Sequence, residues 1–296
     1  MNQLIIQYFH YLKSERFFSP RTIFAYQHDL GKFMEFLESI NKTDITHLTK
    51  EDVRHFLSER AQTNGAVTIA RKLSTIKSLF KYLEREEIIE KNPASSIKAP
   101  KLPEKEPSYL TETEYKDLIA AVKFKATPYY LSRDLAIVIL FLGTGIRLSE
   151  LVGLTLDRVN LERSDRNIKV QGKGNKERII PLTNEVAAIL GQYLKQRPDV
   201  PSNHLFISRL GDGLHARSVY GLIKKYLKAA NIKKEKVAVH SLRHTFGASL
   251  LNSGANLVVI QELMGHKKLE TTRRYLHINN IDLRNAVEKL VLITKQ

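Results

Sequence analysis

Cysteine is absent from this 296-residue chain. Disulfides and thiolate metal sites are therefore excluded, and the absence suits a reducing compartment. Long hydrophobic runs are also missing: the longest charge-free apolar stretch, Leu135 to Leu142, is far shorter than a membrane span and predicts a buried helix. The N-terminal segment lacks the basic stretch and apolar core of a secretory signal. From these absences we expect a soluble, cytoplasmic protein that does not contact a membrane.

Basic residues are in excess. The chain has 47 Lys and Arg against 31 Asp and Glu, a net charge of +16. Such a balance indicates a polyanionic partner, most commonly nucleic acid, with a merely soluble basic protein as the alternative. Residues 1–107 carry a net +3 and residues 108–296 a net +13. The second part of the chain therefore holds most of the attraction.

Residues 1–92 predict a small helical domain. Apolar residues recur at helical spacing from Leu4, Ser19-Pro20 is typical of a helix start, and Thr49 with Asp52 resembles a capping box. A fourth helix is predicted through Ala70 and Leu83. We expect its opposite face to be basic, with Arg71, Lys72, Lys77 and Lys81.

Residues 93–110 are predicted to be an extended, semi-rigid linker, because four of the nine prolines lie between Pro93 and Pro107. A second domain, 111–296, then opens with a capping box at Thr111. Its helices are expected near 112–123, 131–142, after Gly145, and at 184–196, 215–230, 241–253, 256–264 and 281–292. Alternating apolar residues around the turn Gly172-Lys173-Gly174-Asn175 predict a β-hairpin. The fold class is mostly α with a small antiparallel β-sheet (α+β).

Two basic residues stand where they could meet a phosphate. Arg147 lies at the entry of a helix, where exposed amides favour an anion. Lys173 lies on the hairpin turn, and glycines on both sides allow a close approach to a backbone. The string GKGNKER lacks Walker A spacing, so a nucleoside triphosphate site is not indicated. Each residue taken alone is better explained as a solvated surface residue.

His240 and Arg243 are three residues apart and share a helix face, so both could reach one phosphate. His244 is four residues from His240, but the segment is not HExxH and an arginine on the same face would repel a dication, so zinc is not expected. His266 follows the helix-ending Gly265. Further on, Tyr275 lies on a short helix, where a tyrosine is more often a core residue.

Taken together, these residues resemble the tyrosine recombinase (phage integrase) family, most closely its Xer-type members, over nearly the whole chain. The order is Arg147, Lys173, His240 with Arg243, His266, and Tyr275 nine residues later, with no member missing. The motifs TGIRLSEL, GKGNKER, HSLRHTF, LMGH and TTRRYLH resemble the family's catalytic domain. The segments SPRTIFAY and TIARKLSTIKSLFKYL resemble its N-terminal SAM-like, core-binding domain.

The resemblance implies that Tyr275 attacks the scissile phosphate, giving a 3′-phosphotyrosine and a free 5′-hydroxyl. Arg147 and Arg243 would bind the nonbridging oxygens, and Lys173 would protonate the departing 5′-oxygen. His240 would be the acid–base partner of the tyrosine hydroxyl, and His266 would donate a hydrogen bond to the phosphate. His244 is expected to be structural and Glu150 to orient neighbours without being catalytic. Contacts to DNA are expected from Arg21, Arg71, Lys72, Lys77, Lys176 and Arg178.

The resemblance also implies that neither a metal, ATP nor any other cofactor is needed. Strand exchange through a Holliday junction would require two DNA sites and a homo- or heterotetramer. The partners implied are a second Xer-type recombinase in the tetramer and a DNA translocase as activator. The helix at 281–292 would dock on a neighbouring protomer, or else pack within its own. The compact length, without an added arm-binding domain, favours chromosome dimer resolution. Integration or excision of a mobile element, a metal-dependent nuclease and a non-catalytic DNA-binding accessory protein are the alternatives.

Overall fold

A computed structural model of the protein describes residues 3–101, 108–172, 177–234 and 237–265. The chain forms two compact units, Met1–Lys105 and Glu106–Gln296. Helices dominate both units, and the second contains a small antiparallel sheet, so the predicted fold class is confirmed. The helix predicted at 281–292 lies outside the described residues.

The described residues of the first unit form four α-helices and a short 3-10 helix, Ile45–His47. The α-helices are α1 (Gln3–Ser14), α2 (Pro20–Ser39), α3 (Lys50–Ala61) and α4 (Ala66–Arg85). The predicted starts are present: the Ser19 hydroxyl accepts from the Thr22 amide, and Thr49 with Asp52 forms a capping box, each worth about 1 kcal/mol. The helices enclose a core whose largest side chains are Tyr8, Phe33, Phe56 and Phe80.

The first residues of the predicted linker belong to this unit. Ala94 and Ile97 are buried in its core, so the expectation of an extended segment from residue 93 is wrong there. The Asn92 side-chain oxygen accepts from the Ala94 backbone amide at 2.9 Å, and the Asn92 backbone amide donates to Glu84 Oε1 at 2.9 Å. The helix α4 already ends at Arg85, and the prolines that mark the predicted linker do not reveal that residues 94–97 pack on the core of this unit.

The second unit is built on a buried helix. Its helices are α5 (Glu112–Lys125), α6 (Pro128–Thr144), α7 (Leu148–Val152), α8 (Asn184–Gln196), α9 (Ala216–Ala229), α10 (Val239–Asn252) and α11 (Leu257–Met264). Residues 136–141 of α6 are all buried, as the apolar run predicts, and α6 packs against α5, α8 and α10. It ends at Gly145, whose φ of 59° is the left-handed conformation that favours glycine. A Cβ there would overlap the Phe246 ring of α10, so the chain turns closely over that helix before Arg147.

The sheet has one strand more than the sequence predicts. The expected hairpin strands, β2 (Asn167–Gln171) and β3 (Glu177–Pro181), pair antiparallel with Lys169 opposite Ile179. A two-residue strand, β1 (Val159–Asn160), pairs with the other edge of β2. Two residues are too few to show a period of two, which is why the pattern missed β1.

Candidate active site

Arg147 lies between α6 and α7, as the N-cap residue of α7. Its guanidinium donates to Glu150 Oε1 at 2.7 Å and to the Gly265 carbonyl at 2.6 Å. The side chain keeps 33% of its exposure, so it can still meet a ligand. Its backbone amide donates to Glu150 Oε2 at 2.8 Å, so this amide is not available to an anion. At this position the guanidinium, not the backbone, is left to bind a phosphate.

Arg243 projects from α10 into the interior and is 6% exposed. Its guanidinium donates to the carbonyl oxygens of Gly145 and Met264, and so joins the end of α6 to the end of α11. His240, one turn earlier on α10, is exposed. The helix thus carries one fixed cation and one accessible imidazole at the same end.

Three guanidiniums meet the last turn of α11. Arg178 Nε donates to the Leu263 carbonyl at 2.9 Å, Arg243 to that of Met264, and Arg147 to that of Gly265. The last carbonyls of a helix have no partner within it and carry partial negative charge, so cations are stabilised there. We call Arg147, Arg178 and Arg243 the arginine cluster. Its members come from α7, β3 and α10, elements far apart in sequence.

Glu150 is the counterion of the arginine cluster. It is 5% exposed, and both of its oxygens also receive Arg178, at 2.8 and 2.9 Å. Burial alone would raise the pKa of this carboxyl, but the hydrogen bonds and charges of Arg178 and Arg147 outweigh it and lower the pKa to about 2. A permanently ionised Glu150 offsets the repulsion between two neighbouring guanidiniums.

Gly265 closes the site at the end of α11. Its φ is 60°, and a Cβ built there would lie 3.1 Å from Arg178 Nη1. The left-handed backbone conformation therefore favours glycine here, and a side chain would also crowd Arg178. His266 is the next residue along the chain.

The predicted catalytic residues are only partly covered by the described chain. Arg147 and Arg243 are brought to one helix end, with His240 on the same helix as Arg243. Lys173, Lys176, His266 and Tyr275 lie outside the described residues, and their roles stay predictions. Glu150 contacts Arg147 directly, in the manner expected of an orienting residue.

Two of the expected DNA contacts are placed elsewhere. The Arg178 guanidinium donates to Glu150 and to the Leu263 carbonyl of α11, and its side chain is only 14% exposed. The expectation that Arg178 faces DNA is therefore wrong. Lys72 is 4% exposed and its Nζ lies 3.1 Å from Asp29 Oδ1, so it is not on the exposed face of α4. A carboxylate inside the apolar face of α2 explains this burial. Sequence reasoning missed it, although Asp29 stands four residues before the core residue Phe33.

The remaining residues of the predicted basic face are accessible to different degrees. Arg21 and Arg71 are exposed, although Arg71 also pairs with Asp29. Lys77 is half-buried and donates to the Ser95 carbonyl at 3.0 Å. Their contact with DNA stays a prediction.

Within residues 3–101, 108–172, 177–234 and 237–265, no three His, Asp or Glu side chains are grouped so that they could hold a metal ion. In the same ranges no helix is both long and apolar enough to cross a bilayer.

Comparison with known proteins places this site in a family. The sequence matches the Phage integrase family over residues 108–281, and the Phage integrase, N-terminal SAM-like domain over residues 5–87. The chain belongs to the phage integrase family. The predicted enzyme class, a tyrosine-type site-specific DNA recombinase, is thereby confirmed.

Relatives of the phage integrase family match along nearly their whole length. Tyrosine recombinase XerC of Thermodesulfovibrio yellowstonii is 36% identical over 293 residues, covering 96% of this chain and 93% of that protein. Tyrosine recombinase XerD of Lacticaseibacillus casei is 34% identical over 288 residues, covering 95% of each. The crystal structure of XerA recombinase shares 30% identity, with a TM-score of 0.54, over 97% of this chain and 98% of that one. The fold also matches XerH recombinase in a post-cleavage complex with a palindromic difH substrate, with a TM-score of 0.78 at 23% identity over 90% and 79% of the two chains.

Proposed function

We propose that the protein cuts and rejoins DNA at a specific site, with Tyr275 as the nucleophile on the scissile phosphate. The attack forms a 3′-phosphotyrosine and releases a 5′-hydroxyl, and the bond energy kept in the ester allows rejoining without ATP. The observation that carries the proposal is the arginine cluster. Arg147 and Arg243, the two guanidiniums assigned to the phosphate, are fixed at one helix end with Glu150 as counterion.

The chemistry needs this arrangement because the transition state gathers charge on its nonbridging oxygens. Guanidiniums bind such oxygens in pairs of hydrogen bonds, which an ammonium cannot do. Fixed cations also require no reorganisation during the reaction. We assign Lys173 as the acid for the departing 5′-oxygen, His240 as the acid–base partner of Tyr275, and His266 as a hydrogen-bond donor to the phosphate.

We further propose chromosome dimer resolution as the biological task, in the cytoplasm, with four protomers on two DNA sites. Support comes from relatives named XerC and XerD that match over at least 95% of this chain. A second Xer-type recombinase and a DNA translocase are the expected partners, and the helix at 281–292 is expected to dock on a neighbouring protomer. The alternative is integration of a mobile element, because the fold also matches the Tn1549 transposon integrase with a TM-score of 0.76 at 22% identity. Mapping the genomic DNA that the protein protects separates the two: a replication-terminus site supports the first, and the ends of an element support the second.

The nucleophile is tested with a nicked duplex that carries the protected site. Once the short fragment beyond the nick diffuses away, the covalent intermediate cannot religate and is trapped. We expect a denaturation-resistant protein–DNA adduct with the wild-type protein in EDTA, and none with Tyr275→Phe.

Tyr129→Phe is the matched control, since Tyr129 is 61% exposed in the same unit and has no assigned role. It should form the adduct at the wild-type rate. An undiminished adduct with Tyr275→Phe, or none with the wild type, would contradict the proposal.

A further inference from the structure

We propose that Arg178 is a positioning residue for DNA cleavage: it holds Glu150 and the end of α11 so that the Arg147 guanidinium meets the scissile phosphate in a fixed orientation. The inference rests on the proposed function of the arginine cluster. It gives a task to a residue that the sequence alone assigns to DNA contact.

Arg178 uses the full width of its guanidinium on two partners. Nη1 and Nη2 donate to the two oxygens of Glu150 at 2.8 and 2.9 Å, and Nε donates to the Leu263 carbonyl at 2.9 Å. A side chain only 14% exposed and held at three points cannot swing out to a phosphate without leaving Glu150. Its contribution to the reaction must therefore pass through the groups it holds.

Glu150 passes that constraint on to Arg147. Oε1 receives Nη1 of Arg147 at 2.7 Å, and Oε2 receives the Arg147 amide at 2.8 Å. Arg178 Nη1 and Nη2 donate to the same two oxygens, so four donors fix the plane of the carboxylate. Without Arg178, the carboxylate keeps only the Arg147 donors and is free to rotate with them.

Arg178 also influences the Arg147 guanidinium through the end of α11. Arg178 holds the Leu263 carbonyl, and Arg147 holds the Gly265 carbonyl two residues later. The closeness of the Gly265 backbone to Arg178 keeps this turn against β3. Removing Arg178 therefore loosens both anchors of the Arg147 guanidinium, Glu150 and Gly265.

The experiment compares Arg178→Gln and Arg178→Lys with the wild type on the nicked duplex, at protein concentrations that saturate the DNA. We expect Arg178→Gln to form the adduct roughly 100-fold more slowly, because small displacements of a positioned group cost about that much. DNA affinity should change less than about threefold, since Arg178 contributes no phosphate contact. Arg178→Lys keeps the charge but not the planar fork, so it should recover only part of the rate.

Arg158→Gln is the matched control. Arg158 pairs at 3.0 Å with Glu177, the neighbour of Arg178 on β3, and forms no ion pair with Glu150, so its loss should leave the adduct rate unchanged. Thermal unfolding of each variant checks that the fold survives. Should Arg178→Gln fail to fold, Arg178→Lys, which keeps the charge beside Glu150, carries the test alone.

A methylphosphonate at the scissile position separates positioning from a general loss of structure. This group lacks the charge of one nonbridging oxygen, so cleavage depends less on the orientation of Arg147. The defect of the Arg178 variants should shrink at least tenfold on it. Folded Arg178 variants that cleave at the wild-type rate, or that show the same defect on both substrates, would overturn the inference. Failure of the wild type to form any adduct would instead refute the proposed function.

Discussion

Within the described residues, both units contain a buried carboxylate held between two cations, but the two arrangements differ in what they connect. In the first unit, Asp29 of α2 is bound by Arg71 and Lys72, neighbours on the single helix α4. In the second, Glu150 is bound by Arg147 and Arg178, which come from α7 and β3 and also reach α11. The first ion cluster joins two helices, whereas the second joins three elements around one helix end.

The difference separates stability from function. A buried ion pair seldom stabilises a fold more than apolar side chains would, because desolvation offsets the attraction. The Asp29 cluster therefore serves mainly to fix how α2 and α4 pack. The Glu150 cluster holds guanidiniums beside the position where we place the phosphate, so the orientation of charge, more than stability, accounts for it.

The largest expected effect comes from removing either carboxylate. Glu150→Ala should cost about 3–5 kcal/mol and abolish adduct formation, because two guanidiniums lose their buried counterion. Asp29→Ala should cost about 1–3 kcal/mol, because Arg71 is exposed and only Lys72 stays buried. Hydrogen exchange should locate the loss of protection in α7 and α11 for the first variant, and in α2 and α4 for the second. An Asp29 variant that slows cleavage of saturating DNA as strongly as the Glu150 variant would end the distinction.

The next effect concerns pH. The pKa of Glu150 falls from its ordinary value of 4.5 to about 2 on folding, against the opposing effect of burial, because Arg178 and Arg147 bind the ionised form. The stabilisation is thus complete above pH 4.5 and is lost as the pH falls towards 2. Between pH 7 and pH 3 the wild type should lose about 2 kcal/mol more than Glu150→Gln, as denaturant unfolding would show. Equal losses in the two proteins would mean that Glu150 is not held as an anion.

The smallest effect distinguishes two left-handed glycines. Gly265→Ala should cost about 1–2 kcal/mol and slow adduct formation, because the new methyl group meets Arg178. Gly254 has a φ of 86° and no atom within 4 Å of its would-be Cβ, so Gly254→Ala carries the backbone cost alone. The difference between the two rates of adduct formation measures the contact with Arg178. Equal rates would show that this contact does not matter for cleavage.

Local signals in the sequence predicted three of the helix starts. Thr49 and Thr111 begin capping boxes as expected, and the Ser19-Pro20 start is present, because each depends on residues within one turn. The apolar run of α6 predicted its burial for the same reason. By contrast, the packing of Ala94 and Ile97 was not predictable, since it depends on a surface formed by helices elsewhere.

For the site, the sequence named residues but not their contacts, and the catalytic roles stay predictions. Among the described residues, Arg147 and Arg243 were singled out and do meet at one helix end, and Glu150 binds Arg147. The pairing of Arg178 with Glu150, 28 residues apart, was not predicted, because the sequence does not show which oppositely charged residue a given side chain will meet in the fold. For the same reason Lys72 was wrongly predicted to lie on the surface, since its contact with Asp29 exists only in the folded structure.

The most direct test of the account is to digest the trapped protein–DNA adduct with a protease and identify the peptide that carries the nucleotide. The account predicts a single modified peptide containing Tyr275, joined to the 3′-phosphate of the cleaved strand. A nucleotide on any other residue, or a linkage to the 5′-phosphate, would contradict it.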